Sequence, residues 1–330
     1  MRIFHGLGNI NGSAACLAQA ERELGLESFC VGYRDKGIDN DPDIFCHPSI
    51  YPPYNYQEFI YFSDSFDIFV FYGLYSFAGS SLADIPLLKK LGKKIIFYFR
   101  GCDIRNSALN IASNPYGMCA SCWPQTCQVT PQHREIIARY ADDIWVSTKD
   151  LLSSVPTARY IPQAIDIKKI PYHFMPYSDT SINIVHSPSR PHLKGTNEIL
   201  AAIQKLIDKK YPIRLTLLTG IPWHTAQLKT RNSHIAIDQI KCGWYGVASV
   251  EYLAQGKPTL CYLDKSLIDT DKNIPIINVT PSTLTEDIEK IIENHDSWQN
   301  IARNSRQYVE KNHNSIEIAK ITKRIYESLG

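Results

Sequence analysis

The chain has 330 residues, 44% of them hydrophobic and 21% charged, with a formal net charge of +2. That length carries two ordinary domains with cores of their own, and so small a net charge gives no reason to expect nucleic acid as a partner. There is no run of 18 apolar residues, and the opening Met1-Arg-Ile-Phe-His-Gly is already a strand, so neither a membrane span nor a signal peptide is expected and the chain reads as cytoplasmic.

Strand and helix signals alternate from end to end, the pattern of parallel sheets covered by helices. Residues 2–7 read as a first strand. Gly8-Asn-Ile-Asn-Gly12 follows as a turn, with Ser13 capping a helix that carries Ala14, Leu17, Ala18 and Leu24 on its apolar face and stops at Gly25. Strands are expected over 29–33, 67–72, 94–99, 143–147 and 159–161. The aromatic-rich stretch from Tyr51 to Phe77 reads as core strands plus a loop, with a surface facing a membrane or a greasy acceptor as the alternative. A first domain is placed over 1–165, including a Cys-rich loop at 102–130, and a hinge over 166–180, where Pro171 and Pro176 interrupt a polar stretch. A second series begins there, with strands over 182–186, 213–218, 234–237, 259–263 and 274–279 and helices over 196–208 and 247–255. Helical patterns at 282–294, 297–312 and 316–328 close the chain, giving a second domain over 181–312 and a tail over 313–330.

The most informative segment runs from Cys242 to Leu260, marked by Gly243, Gly246, Glu251, Gly256 and Pro258. It reads as a glycine turn, a helix, a glycine stop and a buried strand. The amides of Val247 and Ala248 fall at a helix N-terminus, where backbone N–H groups lack intrahelical acceptors and an anion is stabilised. Gly246 would let a ligand approach the backbone. Glu251 lies on the helix's first turns, as a ligand contact or as a helix-dipole partner.

This segment resembles the donor-binding signature of glycosyltransferases with the GT-B fold, in particular the retaining group that uses nucleotide sugars. The run from Ile184 to Thr196 resembles that group's strand followed by an Arg and a Lys, here Arg190 and Lys194, and Ile161-Pro-Gln-Ala-Ile-Asp166 is similar to the segment entering the hinge. The resemblance implies two Rossmann-like α/β domains with parallel sheets, flanking helices and a cleft between the domains, the tail helix crossing back onto the first. It implies that Arg190 and Lys194 neutralise the donor diphosphate and that Glu251 accepts hydrogen bonds from the ribose hydroxyls. No divalent metal is then required for catalysis. The pattern's usual acidic residue eight positions before Glu251 is absent, and Gly243 stands there. Asp238 lines the same site or caps the following turn.

In the first domain, the loop ending at Gly12 brings amides to the donor or acceptor, or is a plain tight turn. Phe99-Arg-Gly-Cys-Asp-Ile-Arg105 follows an apolar strand, which puts Asp103 at a carboxyl end, where ligands collect. Asp103 is the candidate acceptor contact or general base, with pairing to Arg100 or Arg105 as the alternative.

Nine cysteines without a secretory signal argue for thiols. Cys119 and Cys122 have the spacing of a zinc pair, which Cys102 and Cys127 would complete and His133 could join; reduced thiols are the alternative. Such a zinc would be structural. Cys16, Cys30, Cys46, Cys242 and Cys261 read as small apolar residues.

The sequence thus predicts a glycosyltransferase moving a sugar from a UDP- or GDP-sugar to a glycan or lipid-linked glycan, in cell-surface polysaccharide synthesis, with peripheral contact at the inner face of the cell membrane. A nucleotide-sugar epimerase, a glycosyl phosphorylase and a non-catalytic nucleotide-sugar-binding subunit are the alternatives.

Overall fold

The computed structural model describes residues 1–8, 12–32, 42–45, 56–122, 127, 129–177, 180–268 and 273–329, without the side chains of 56–58. The expected Asn9, Asn11 and Cys46 features lie outside these residues. The chain forms two compact units. Unit 1 comprises Met1–Asn106, Thr126–Ile165 and Asn314–Gly330; unit 2 comprises Ser107–Gln125 and Asp166–His313. Of the 102–130 loop expected within the first domain, Ser107–Gln125 falls in unit 2.

In unit 1, β1 (Arg2–Gly6), β2 (Glu27–Gly32), β3 (Ile44–Phe45), β4 (Ile68–Tyr72), β5 (Lys94–Phe99), β6 (Asp143–Val146) and β7 (Arg159–Tyr160) form one sheet in the order β3-β2-β1-β4-β5-β6-β7. All its pairs are parallel. Side chains alternate between the two faces of each strand. Phe4, Phe69, Phe71, Phe97 and Phe99 enter one core, with α2 (Tyr56–Ser65), α3 (Ile85–Lys90) and α5 (Pro131–Tyr140), while Ile3, Ile68, Val70, Tyr72, Ile96 and Tyr98 enter the other. The described aromatics of the 51–77 stretch are mainly core: Phe62 and Phe77 stack at 5.7 Å, and Phe66, Phe69 and Phe71 are buried.

The second core is closed by α1 (Ser13–Glu23) and by α13 (Ser315–Leu329), the last helix of the chain. A buried polar cluster fastens them. Glu21 accepts from Ser28 Oγ (2.6 Å), Thr322 Oγ1 (2.6 Å) and Tyr326 Oη (2.9 Å) and lies 2.7 Å from His5 Nε2. Burial opposes its charge, yet His5 and the hydroxyl donors hold the carboxyl below its ordinary range. At the other end of α1, Gly12 and not Ser13 occupies the N-cap, and no side chain caps the helix there.

In unit 2, β8 (Ile182–His186), β9 (Ile213–Leu217), β10 (Ile235–Ile237), β11 (Thr259–Cys261) and β12 (Ile276–Asn278) form a parallel sheet in the order β12-β11-β10-β8-β9. Helices α4 (Ser107–Ser113), α6 (Pro191–Lys194), α7 (Thr196–Asp208), α8 (Trp223–Arg231), α9 (Val247–Ala254), α10 (Lys265–Ile268), α11 (Leu284–Glu293) and α12 (Trp298–Asn312) belong to this unit. The sequence patterns predict α7, α9, α11 and α12 to within about two residues. They do not predict α8, of which only Thr230 is buried.

Candidate functional site

The carboxyl ends of β8 and β10 meet the first turns of α7 and α9. His186 ends β8 and is fully buried. Its Nδ1 lies 2.8 Å from the Ile237 carbonyl and its Nε2 lies 2.9 Å from Thr196 Oγ1, so Nδ1 carries the proton and Nε2 accepts. Burial holds this imidazole below its ordinary range, and it is neutral at pH 7. His186 thereby ties β8 to β10 and to the start of α7. Between α6 and α7, Gly195 has φ +83, and a Cβ there would meet Ile240 Cγ1 at 2.3 Å. Any side chain at that crossing would require Ile240 to shift, in addition to the left-handed backbone.

Asp238, directly after β10, is the centre of the arrangement. Its Oδ1 lies 3.2 Å from Lys194 Nζ, while its Oδ2 accepts from the Gly246 amide (3.1 Å) and from Ser249 Oγ (2.7 Å). Burial opposes the Asp238 charge, but Lys194, Ser249 and Gly246 outweigh it and hold the carboxyl below its usual range. Burial also opposes the Lys194 charge, and Asp238 carries that ammonium above its usual range. The two sequence candidates are thus brought together as an ion pair. One finding departs from expectation: the Gly246 amide is taken by Asp238. The open N-terminus of α9 then consists of the Val247 and Ala248 amides, which as first-turn N–H groups have no intrahelical acceptor, and no side chain caps this end.

Arg190 precedes α6 with an exposed side chain, and its carbonyl accepts from the Lys194 amide at 3.1 Å. Among the described residues its guanidinium makes no ion pair. The two cations therefore differ, because the Lys194 charge is already shared with Asp238.

Glu251 stands one turn into α9. Trp223 Nε1 donates to its Oε1 and Gln227 Nε2 to its Oε2, each at 2.8 Å. Burial pushes the carboxyl up to about 7 against the pull of these two donors, and the Asp238 charge adds to the rise. The sequence reading identified neither Trp223 nor Gln227, and no local pattern marks them, since they act from a helix that the sequence did not reveal.

Gly243, where the family pattern has an acid, sits at φ +85 with Asn114 Nδ2 3.1 Å from where a Cβ would be. Asn114 donates to the Lys241 carbonyl and Cys242 Sγ to Met118 Sδ (3.5 Å), so Asn114 and Met118 lie against this turn.

In unit 1, Asp103 is turned onto its own loop, where it accepts from the amides of Arg100 (2.9 Å) and Gly101 (2.7 Å). Burial raises its carboxyl pKa despite those bonds and the nearby Arg100 charge. It makes no side-chain pair with Arg105, which pairs with Asp150. Arg100 donates to Ser13 Oγ, next to Gly12, and to Gln163 Oε1 (3.3 Å).

The expected zinc site finds no support among the described residues. Among the described residues no group of three or more His, Cys, Asp or Glu side chains could hold a metal ion. Cys119 and Cys122 belong to unit 2, whereas Cys102 and Cys127 belong to unit 1. His133 caps α5, its Nδ1 accepting from the Thr130 amide at 3.1 Å. Cys16, Cys30, Cys242 and Cys261 are buried, as expected of small apolar residues.

No family model matches the sequence, and a search of curated proteins found no match. Solved structures do match over nearly the whole chain. The catalytic domain of starch synthase IV from Arabidopsis thaliana, bound to ADP and acarbose, superposes with a TM-score of 0.66 at 10% identity, covering 100% of this chain and 99% of that one. Sucrose-phosphate synthase from Thermosynechococcus elongatus gives 0.65 at 13% identity, covering 99% and 98%. The Anabaena HepE protein in complex with UDP-glucose gives 0.64 at 10% identity, covering 99% and 100%.

The chain has the GT-B fold. Within the GT-B fold, unit 2 carries the Asp238, Lys194 and Glu251 cluster and unit 1 the Asp103 loop. Among the described residues no helix is long and apolar enough to cross a membrane.

Proposed function

We propose that this protein is a glycosyltransferase that takes a sugar from a nucleoside-diphosphate donor bound by unit 2 and passes it to a glycan or lipid-linked glycan bound by unit 1. The observation that carries this reading is Glu251: a carboxylate beside a helix N-terminus, at the carboxyl ends of parallel strands, held by two neutral N–H donors and, among the described residues, by no cation. Its remaining lone pairs suit the hydroxyls of a ribose, and the Val247 and Ala248 amides one turn earlier suit a phosphate. The ADP and UDP-glucose held by two of the superposable structures support the same donor class.

On this reading charge develops on the departing diphosphate, and Arg190 with the α9 N-terminus stabilises it where it forms. Lys194 holds Asp238 in its ionised form, which in turn fixes the Gly246 turn. Transfer then needs no divalent metal and proceeds in chelator. We infer retention at the anomeric carbon from the sequence resemblance. Asp103 is assigned to the acceptor side, and surface polysaccharide synthesis at the inner face of the membrane is the proposed setting.

A thermal-shift panel of nucleoside diphosphates and their sugars tests the donor assignment, since a ligand that binds only the folded form raises its stability by RT ln(1 + [L]/Kd), about 2.7 kcal/mol at a hundredfold excess over Kd. No shift with any of them would remove the reading. Product analysis by NMR then gives the anomeric outcome and separates transfer from epimerisation or phosphorolysis.

A further inference from the structure

The two carboxylate oxygens of Glu251 are each held by a side chain of one neighbouring helix, α8. Trp223 and Gln227 are four residues apart on α8, so both project from the same face of that helix. Trp223 supplies an indole N–H, which can only donate. Gln227 is fixed from behind: Gln255 Nε2 donates to its Oε1 at 2.6 Å and lies 3.3 Å from its backbone carbonyl, which uses the amide oxygen and leaves the amide nitrogen to face Glu251. The chain of donors therefore runs from Gln255 at the end of α9 to Gln227, and from Gln227 and Trp223 to Glu251. An ionised carboxylate offers about four acceptor positions, two on each oxygen. Two are filled, one on each oxygen, and two are left.

We propose that Trp223 and Gln227 are the positioning residues of the donor site, orienting Glu251 so that its two remaining acceptor positions match the two hydroxyls of a vicinal diol. This rests on the donor reading above and adds its selectivity: the site takes a ribonucleoside diphosphate and rejects the 2′,3′-dideoxy analogue. The same two donors favour the ionised carboxylate against burial. Charged groups surround α9 on several elements: Asp238 after β10 with Lys194 paired to it, Lys229 and Arg231 on α8, and Arg306 of α12, which donates to the Ala254 carbonyl. Of these, Asp238 is the one whose charge bears on Glu251, in the direction of protonation. Removing a donor therefore moves the carboxyl further up, and a hydrogen bond to a charged group is worth about 1.5–3 kcal/mol, or one to two pH units.

Calorimetric titration with UDP, ADP and their 2′,3′-dideoxy forms, across pH 5.5 to 9, tests this on the wild type, Trp223→Phe and Gln227→Ala. The wild type is expected to prefer the ribose form by tenfold or more and to gain affinity as pH rises through about 7. Each variant is expected to lose most of that preference and to shift its midpoint upward by about one unit, with dideoxy affinity unchanged. Nucleotide binding with the same preference and midpoint in both variants would overturn the positioning role and leave the donor reading standing. Absence of nucleotide binding in the wild type would overturn both.

Discussion

Two buried ionisable residues of unit 2 give its stability a pH dependence of opposite sign on either side of neutrality. Glu251 has a carboxyl raised from 4.5 to about 7. Between those values the folded chain binds a proton that the unfolded chain has lost, so stability falls as pH rises through this window. Lys257 is 1% exposed and donates to the carbonyls of His173 (2.9 Å), Arg231 (3.0 Å) and Ser233 (2.8 Å). Burial, with the Arg231 charge adding to it, lowers its ammonium from 10.5 to about 7. There the unfolded chain holds the extra proton, and stability rises from pH 7 toward 10.5. Each group contributes a slope of at most about 1.4 kcal/mol per pH unit. Urea unfolding as a function of pH should show Glu251→Gln without the acid-side slope and Lys257→Met without the alkaline one; an unchanged slope in either variant refutes its assignment. Lys194→Ala is expected to cost about 3–5 kcal/mol, because it leaves Asp238 a buried charge without its counterion. Adding Asp238→Asn should recover most of that loss but not nucleotide binding.

Among the elements, the turn between α6 and α7 allows a controlled comparison. Gly195 and Gly92 both have positive φ, at +83 and +74, but a Cβ at Gly195 would meet Ile240 at 2.3 Å and one at Gly92 nothing within 4 Å. Ala at either position incurs a backbone cost of about 1–2 kcal/mol. Gly195→Ala should cost at least about 1 kcal/mol more in chemical unfolding, and an equal cost would mean that Ile240 moves aside. Strands such as β4, β5 and β8 were legible because each is an apolar run buried on both faces, and α7, α11 and α12 because their apolar stripes recur at helical spacing. Helix α8 was not, since Trp-His-Thr-Ala-Gln-Leu-Lys-Thr-Arg has no such stripe and buries only Thr230. That omission hid Trp223 and Gln227, which lie 28 and 24 residues from Glu251 in sequence. The position of Glu251 on the early turns of α9 was readable from the Gly246 signal, but its partners were not. The cysteine spacing suggested a metal clip, and the spacing alone did not show that Ser107–Gln125 falls in unit 2, which assigns Cys119 and Cys122 to one unit and Cys102 and Cys127 to the other.

At the scale of the whole molecule, unit 1 is built from both ends of the chain. Tyr326 of α13 lies 5.9 Å from Trp145, and Ile318, Ala319 and Ile325 share a core with β1 and α1. A chain ended after His313 loses these and two of the hydroxyls that bond Glu21. Hydrogen exchange on that truncation should show protection retained in β8 and β10 and lost through β1 and α1; protected β1 amides would refute the dependence. The Glu21 cluster also bears on the order in which the protein can be made. Its partner His5 emerges from the ribosome before Glu21 itself, whereas Thr322 and Tyr326 follow Glu21 by 301 and 305 residues. Residues 166–313 of unit 2 are made in between, so during synthesis the first sheet has one face covered by α1 without α13, and the carboxylate lacks two of its donors until α13 emerges. That interval is when unit 1 is most exposed to aggregation and to the chaperones that prevent it.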